Sequence, residues 1–133
     1  MTPAPILVIR PITTIGVSQL LVLERAADGA ETEVLRRPGT DHASVTAEIA
    51  RRAGDPLAGV VVDLAACEWV DSGVLGVWVS WHHLLARHGG RVLVCRANER
   101  IRNILHISQL DQLFPASDTL DEATALLGPS PPS

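Results

Sequence analysis

Two largely apolar runs, GVVVDLAA at 59–66 and RVLVCR at 91–96, most constrain what this chain can fold into. Neither alternates apolar with polar residues, as a strand with one wet face does. Their β-branched valines suit the pleated surface of a sheet. Strands of this kind are covered on both faces, as in a parallel sheet with helices packed on each side. The residues between them fit a crossover: VDSG at 70–73 opens a helix of about 15 residues that Gly89-Gly90 stops. Along that helix Leu75, Trp78, Val79 and Leu85 share one side, with Val74, Val77, Trp81 and Leu84 on a flank.

The rest of the chain fits the same plan. Downstream, NERIRNILHISQL (98–110) sets Ile101, Ile104, Leu105 and Ile107 at the apolar positions of a helix. LFPAS (113–117) is short and extended, TLDEATALLG (119–128) predicts a last short helix, and residues 129–133 are a frayed tail. Upstream, ILVIR (6–10), QLLVLERA (19–26) and TEVLRR (32–37) predict strands, with an Asp-Gly turn at 28–29. Thr40 or Asp41 caps a helix over 41–52 in which Val45 and Ile49 share a face, and Gly54-Asp55-Pro56 closes it. Strands alternating with helices predict an α/β domain. Its sheet is expected to be small, mixed and mostly parallel, with four to five strands and about four helices packed on it. Residues 1–15 are read as an N-terminal extension that adds an edge strand or mediates dimerisation, and 16–128 as the domain.

Composition excludes several function classes. The net charge is −4 and there is no lysine, so no basic face stands out to neutralise nucleic-acid phosphates. No apolar stretch reaches the roughly 18–20 residues that span a bilayer. MTPAPILVIRP lacks a charged segment ahead of its apolar run, so no signal peptide is read there. Two cysteines, Cys67 and Cys95, are too few for a disulfide scaffold and are expected as reduced thiols in a cytoplasmic protein.

Of the five histidines, His82 and His83 are adjacent and point about 100° apart on a helix, and His83 and His88 are five residues apart. Without Cys-x-x-Cys or His-Glu-x-x-His, no metal and no cofactor is expected, and the histidines read as surface residues. Ser72 has no histidine nearby in sequence, and Val70 breaks the G-x-S-x-G pattern, so a hydrolase is not expected. Trp81 on the helix flank is either half covered or the edge of a partner-binding patch. Asp71-Ser72 reads as a helix cap, or as a hydroxyl displayed for chemistry. Gly73 beside it removes side-chain bulk and suits a close approach.

These residues resemble a family. An apolar strand ending in Asp63-Leu64 leads to Trp69-Val70-Asp71-Ser72, then Leu75-Gly76, Gly89-Gly90, Arg100 to Arg102 and Leu110-Asp111-Gln112-Leu113-Phe114. In that order and spacing the run over 58–128 is similar to the STAS domain, the fold of bacterial anti-sigma-factor antagonists. Pro38-Gly39-Thr40-Asp41-His42 stands where that family has a Gly-Glu-Leu-Asp strand end, which places Asp41 near the start of the first helix.

The resemblance implies a STAS fold, no catalysis, and a switch. The serine after the aspartate, here Ser72, is the substrate of an anti-sigma factor with ATP-dependent serine kinase activity. The unmodified antagonist binds that partner, phosphorylation blocks binding, and a phosphatase resets the switch. The partner-binding residues then expected are Asp41, Asp71, Ser72, Gly73, Val74, Leu75, Gly76 and Trp81. Gly73 replaces the family's second serine, and Val74 its following glycine, which sets a β-branched side chain where a partner approaches bare backbone. The competing expectation is a STAS module without phosphoregulation, acting as a scaffold or as an accessory subunit of a transporter.

Overall fold

The computed structural model describes residues 6–14, 17–25, 31–35, 42–52, 59–87 and 90–127. Its elements run β1 (Ile6–Thr14), β2 (Val17–Arg25), β3 (Glu31–Leu35), α1 (His42–Arg52), β4 (Gly59–Asp63), α2 (Ser72–Ala86), β5 (Arg91–Cys95), α3 (Glu99–Ile107), β6 (Ala116–Ser117) and α4 (Leu120–Leu127). They form one mixed sheet in the order β3-β2-β1-β4-β5-β6. β1, β4, β5 and β6 are mutually parallel, and β2 and β3 add an antiparallel ribbon. The architecture is the expected α/β one, with a sixth strand of two residues.

The apolar runs are buried because the sheet is covered on both faces. On one face Leu7, Ile9, Val22, Val60, Val62, Val92 and Val94 meet α1, α2 and α3. The intervening residues Val61, Leu93 and Cys95 face α4 through Ala123 and Leu127. Continuous apolar sequence is thus the signature of two covered faces. At Gly59 an added Cβ would lie 2.6 Å from the Arg91 carbonyl oxygen and 2.7 Å from a Leu127 methyl, so α4 sits directly on bare backbone there.

Several expectations change. The N-terminal segment, read as an extension with at most an edge strand, is β1, with β2 on one side and β4 on the other. Its apolar run ILVIR predicted a strand, but only the parallel pairing of Ile6–Ile9 with 59–62 makes it interior. Pro11 falls beyond that pairing, where β1 has a single neighbour and a missing N–H is tolerated. α3 ends at Ile107, earlier than expected, because Gln109 takes a left-handed backbone (φ 62) before a 3-10 turn at Leu110–Gln112. Ile107 is still inside the helix but lies about 200° round it from the buried Leu105, so it is 81% exposed rather than on the buried face. His82 is half-buried, edge-on to Phe114, and burial together with His83 lowers its imidazole's proton affinity. The expected Asp-Gly turn, the Thr40/Asp41 cap and the Gly54-Asp55-Pro56 stop lie outside the described residues.

At the carboxyl ends of the parallel strands Asp63, 1% exposed, is one of two buried polar residues among those described. It accepts from Arg10 Nε at 2.7 Å, from Arg96 Nε at 2.9 Å and from the Ala65 amide at 3.2 Å, with a further bond from the Arg96 guanidinium. One carboxylate thereby ties β1, β4 and the residue after β5. Arg96 itself is left-handed (φ 56), a conformation costing a non-glycine residue about 1 kcal/mol or more, offset by its two-pronged hold on Asp63. Burial alone would raise the Asp63 carboxyl's pKa; the bonds from Arg96, Arg10 and the Ala65 amide outweigh it and hold it below its ordinary value.

Because that pKa is depressed by folding, the stabilisation is present above the unfolded value of about 3.9 and is lost as pH falls through the folded value. Replacing Asp63 by Asn should cost about 3 kcal/mol in urea unfolding at pH 7, since both guanidiniums lose this buried carboxylate. The wild type should also lose stability below about pH 4 by a component that Asp63→Asn lacks. Parallel acid limbs for the two proteins would contradict the assignment.

Candidate functional site

The loop leaving Asp63 is built around three residues that point inward: Leu64, Cys67 and Val70 are buried in the core under α2 and α3. Between them Ala65, Ala66, Glu68 and Trp69 are exposed. The loop is held by its own polar atoms. The Leu64 amide bonds the Cys95 carbonyl at 3.0 Å, the Cys67 amide bonds the Leu64 carbonyl at 3.1 Å, and the Cys67 thiol donates to the Trp69 carbonyl at 3.3 Å. Asn98 uses both ends of its amide. Its Oδ1 accepts the Ile101 N–H at 2.9 Å and caps α3, while its Nδ2 donates to the Glu68 carbonyl at 2.9 Å. The start of α3 is thereby fastened to the segment that leads into α2.

Asp71, not Ser72, caps α2. Its backbone is extended, and its Oδ1 accepts the Val74 N–H at 2.8 Å while its carbonyl accepts the Leu75 N–H at 3.1 Å. Ser72 is then the first helical residue and is exposed, and among the described residues none bonds its hydroxyl. The alternatives left open by the sequence are divided between two adjacent side chains. Beyond the Asp71 carboxylate on the Val74 amide, the first turn of α2 carries no acidic side chain, and its remaining N–H groups and the positive end of the helix dipole favour an anion there.

α2 owes its existence to packing more than to propensity, because three valines and two glycines are poor helix formers. It buries Leu75, Trp78, Trp81 and Leu85. Its outer stripe is small and polar: Ser72, Gly73, Gly76, Ser80 and His83 are all exposed. A Cβ at Gly73 would lie 3.2 Å from Asp71 Oδ1, so the missing second serine keeps the cap uncrowded. A Cβ at Gly76 would meet nothing within 4 Å, so no contact inside the domain calls for glycine there.

The expected site residues divide. Asp71, Ser72, Gly73 and Gly76 come together on the exposed turn. Val74 is half-buried and packs against the core, so its branched side chain turns away from the approach to Ser72. Leu75 is a core residue at 7% exposure, since position 75 faces the sheet when 72 and 76 face outward. Trp81 is also withdrawn from any docking patch: it is fully buried, with Nε1 donating to Thr46 Oγ1 of α1 at 2.8 Å. Asp41 lies outside the described residues. The exposed tryptophan is instead Trp69, 53% accessible, which the sequence places ahead of the turn without saying which way it faces.

Neither cysteine is poised for chemistry. Burial raises the Cys67 thiol, and burial with the neighbouring Asp63 carboxylate pushes Cys95 up to about 12. Both are free and buried. Among the described residues no three His, Cys, Asp or Glu side chains gather as a metal site, and no helix is long and apolar enough to cross a membrane.

A six-stranded mixed sheet with a capped, exposed serine turn at the carboxyl end of its central strand defines a known class of domain. The STAS domain model matches residues 39–123, and the chain belongs to that family. Solved structures share the fold. A protein of Planctomyces limnophilus described as an anti-sigma-factor antagonist (STAS) domain protein is 16% identical, with a TM-score of 0.56 over 90% of this chain and 97% of its own. An anti-sigma factor antagonist of Mycobacterium paratuberculosis is 21% identical, with a TM-score of 0.54 over 90% of this chain and 92% of its own. A candidate antagonist of Thermotoga maritima is 22% identical, with a TM-score of 0.57 over 65% of this chain and 74% of its own. No curated protein matches the sequence.

Opposite effects on stability are expected at two positions of α2. Gly76→Ala adds a helix-favouring methyl in open space and should stabilise the domain by about 0.5–1 kcal/mol in urea unfolding. Asp71→Ala removes the cap and should destabilise it by about 1 kcal/mol. A destabilised Gly76→Ala would mean that the outer stripe is covered within the domain.

Proposed function

We propose that this STAS protein is an anti-sigma-factor antagonist that binds an anti-sigma factor with serine kinase activity and is switched by phosphorylation of Ser72. The observation that supports this most is the division of labour at the turn: Asp71 caps α2 and leaves the exposed Ser72 hydroxyl uncommitted. The partner is taken from the family and from the descriptions of its structural relatives.

Ser72 suits a substrate better than a nucleophile of its own. The histidines nearest along α2, His82 and His83, are ten and eleven residues on, about 15 Å along the helix axis. In the proposed step Ser72 Oγ bonds to the γ-phosphorus of ATP, ADP departs, and the hydroxyl proton passes to a base of the kinase. The product carries about −1.5 to −2 charges at pH 7. Free amides of the first turn accommodate that charge, so the domain keeps its fold and only its outer surface changes. An interface formed around a neutral hydroxyl then acquires an unmatched charge, which costs several kcal/mol, of order 4, or about a thousandfold in affinity. A phosphatase returns the hydroxyl. The setting is the cytoplasm, where ATP and sigma factors meet, and the protein itself catalyses nothing.

Each anti-sigma factor kinase encoded by the source organism, purified and incubated with this protein and ATP, provides the test. One of them should bind the unmodified protein and place a single phosphate on Ser72, mapped by mass spectrometry. Ser72→Ala should accept none, and Ser72→Glu should bind about a thousandfold more weakly. No modification, together with undiminished binding by Ser72→Glu, would leave a STAS module without the switch.

A further inference from the structure

We propose that Trp69 is the anchor by which the protein partner grips this domain while it engages Ser72. The inference rests on reading Ser72 as a site that another protein reaches, and it adds what holds that protein in place. Trp69 is one of three large apolar side chains exposed among the described residues. The other two, Ile107 and Leu126, lie at the far end of α3 and on α4.

The exposure of Trp69 is imposed by a rigid loop. Cys67 and Val70 on either side are 5% and 6% exposed. The Trp69 carbonyl is held by the Cys67 thiol, the Glu68 carbonyl by Asn98, and Asp71 is fixed by its cap. An indole presented this way loses little conformational freedom when it is covered, which is one reason tryptophan dominates interface hot spots.

Geometry places it inside any protein footprint centred on Ser72. Two residues, Val70 and Asp71, lie between them, so the three steps of chain span at most about 11 Å. A standard interface covers about 800 Å² of each partner, a patch roughly 30 Å across. The remaining exposed groups along that stripe, Ser72, Gly73, Gly76 and Ser80, offer little apolar area. They permit close approach, and Trp69 supplies most of the hydrophobic contact. The surroundings also bear on the kind of partner. Glu68, Asp71 and Glu99 are exposed at this end of the molecule with Arg96 and Arg100 beside them, a mixed-charge surface rather than the basic face that a phosphate backbone needs. The occupant that fits is a protein surface with an apolar pocket for an indole beside the groups that act on a serine hydroxyl.

Trp78 and Trp81 are fully buried, so Trp69 alone of the three tryptophans should be quenched by acrylamide in the native protein. The test titrates the full chain with each of the same purified kinases, following emission, quenching and affinity. Binding should shift the emission to the blue and protect it from acrylamide. Trp69→Ala should weaken binding at least thirtyfold, about 2 kcal/mol, and Trp69→Phe should recover most of it. If a kinase binds and modifies Ser72 but Trp69 stays quenchable, or Trp69→Ala binds as the wild type does, the anchor is overturned and the Ser72 reading stands. If no kinase binds the wild type, both fall together. A blue shift with duplex DNA in place of the kinases would identify a nucleic-acid occupant and overturn the protein one. Acrylamide protection in the wild type decides the matter even if Trp69→Ala fails to fold.

Discussion

The arrangement of this molecule depends on one buried carboxylate. Asp63 sits where the central strand ends, and its oxygens are shared by Arg10 from β1 and Arg96 from the end of β5. Without it the Arg10 and Arg96 guanidiniums would lose the carboxylate they share at the carboxyl ends of the parallel strands, and Arg96 would have little reason to hold a left-handed backbone. The loop to Ser72 departs from Asp63 itself, and the segment to α3 departs from Arg96. The carboxylate therefore sets the starting point of both functional segments while taking no part in the chemistry proposed for them. The interaction is electrostatic and buried, so its worth lies in the completeness of its hydrogen bonding.

From that base the exposed turn is assembled by alternation. Residues 64, 67 and 70 point in and are buried; 68, 69, 71 and 72 point out. The inward set joins the core, and the outward set is thereby displayed without slack. Asn98 extends the same fastening to α3, with one amide serving as cap and clamp. α2 then continues as a helix whose inner side is bulky and whose outer side is bare. Intrinsic preference would not have made it helical; the burial of Trp78 and Trp81 does.

Function, on this reading, follows from separating tasks that the sequence sets side by side. Asp71 serves the helix and Ser72 faces the solvent. Trp81 serves the core and Trp69 faces the solvent. Val74 packs inward, so replacing a glycine of the family pattern leaves the approach to Ser72 open. Gly76, which nothing inside the domain requires, is accounted for most simply by something that comes close from outside. These pairs share residue type or neighbourhood and differ only in which way the side chain points.

That difference marks the boundary of what could be read beforehand. The valine runs, the Asp-Ser turn, the helix stops and the order of elements were legible because each depends on neighbours within a few residues. From them the α/β class, the two covered faces and the family resemblance followed. Ile107 was misjudged because apolar type was given more weight than its angle, which sets it on the far side of α3 from Leu105, while the left-handed Gln109 that ends the helix could not be foreseen from spacing. The interior place of β1 and the Arg10–Asp63 bond join residues more than fifty positions apart, and the Asp63–Arg96 bond joins residues 33 apart. By itself the sequence determined where most strands and helices run and that an Asp-Ser pair opens the long helix, since local pattern decides those. Which aspartate is buried, which tryptophan is exposed and which of two adjacent polar residues is left free were decided only by tertiary structure. They depend on how separate segments close over one another, and that is a property of the packed chain.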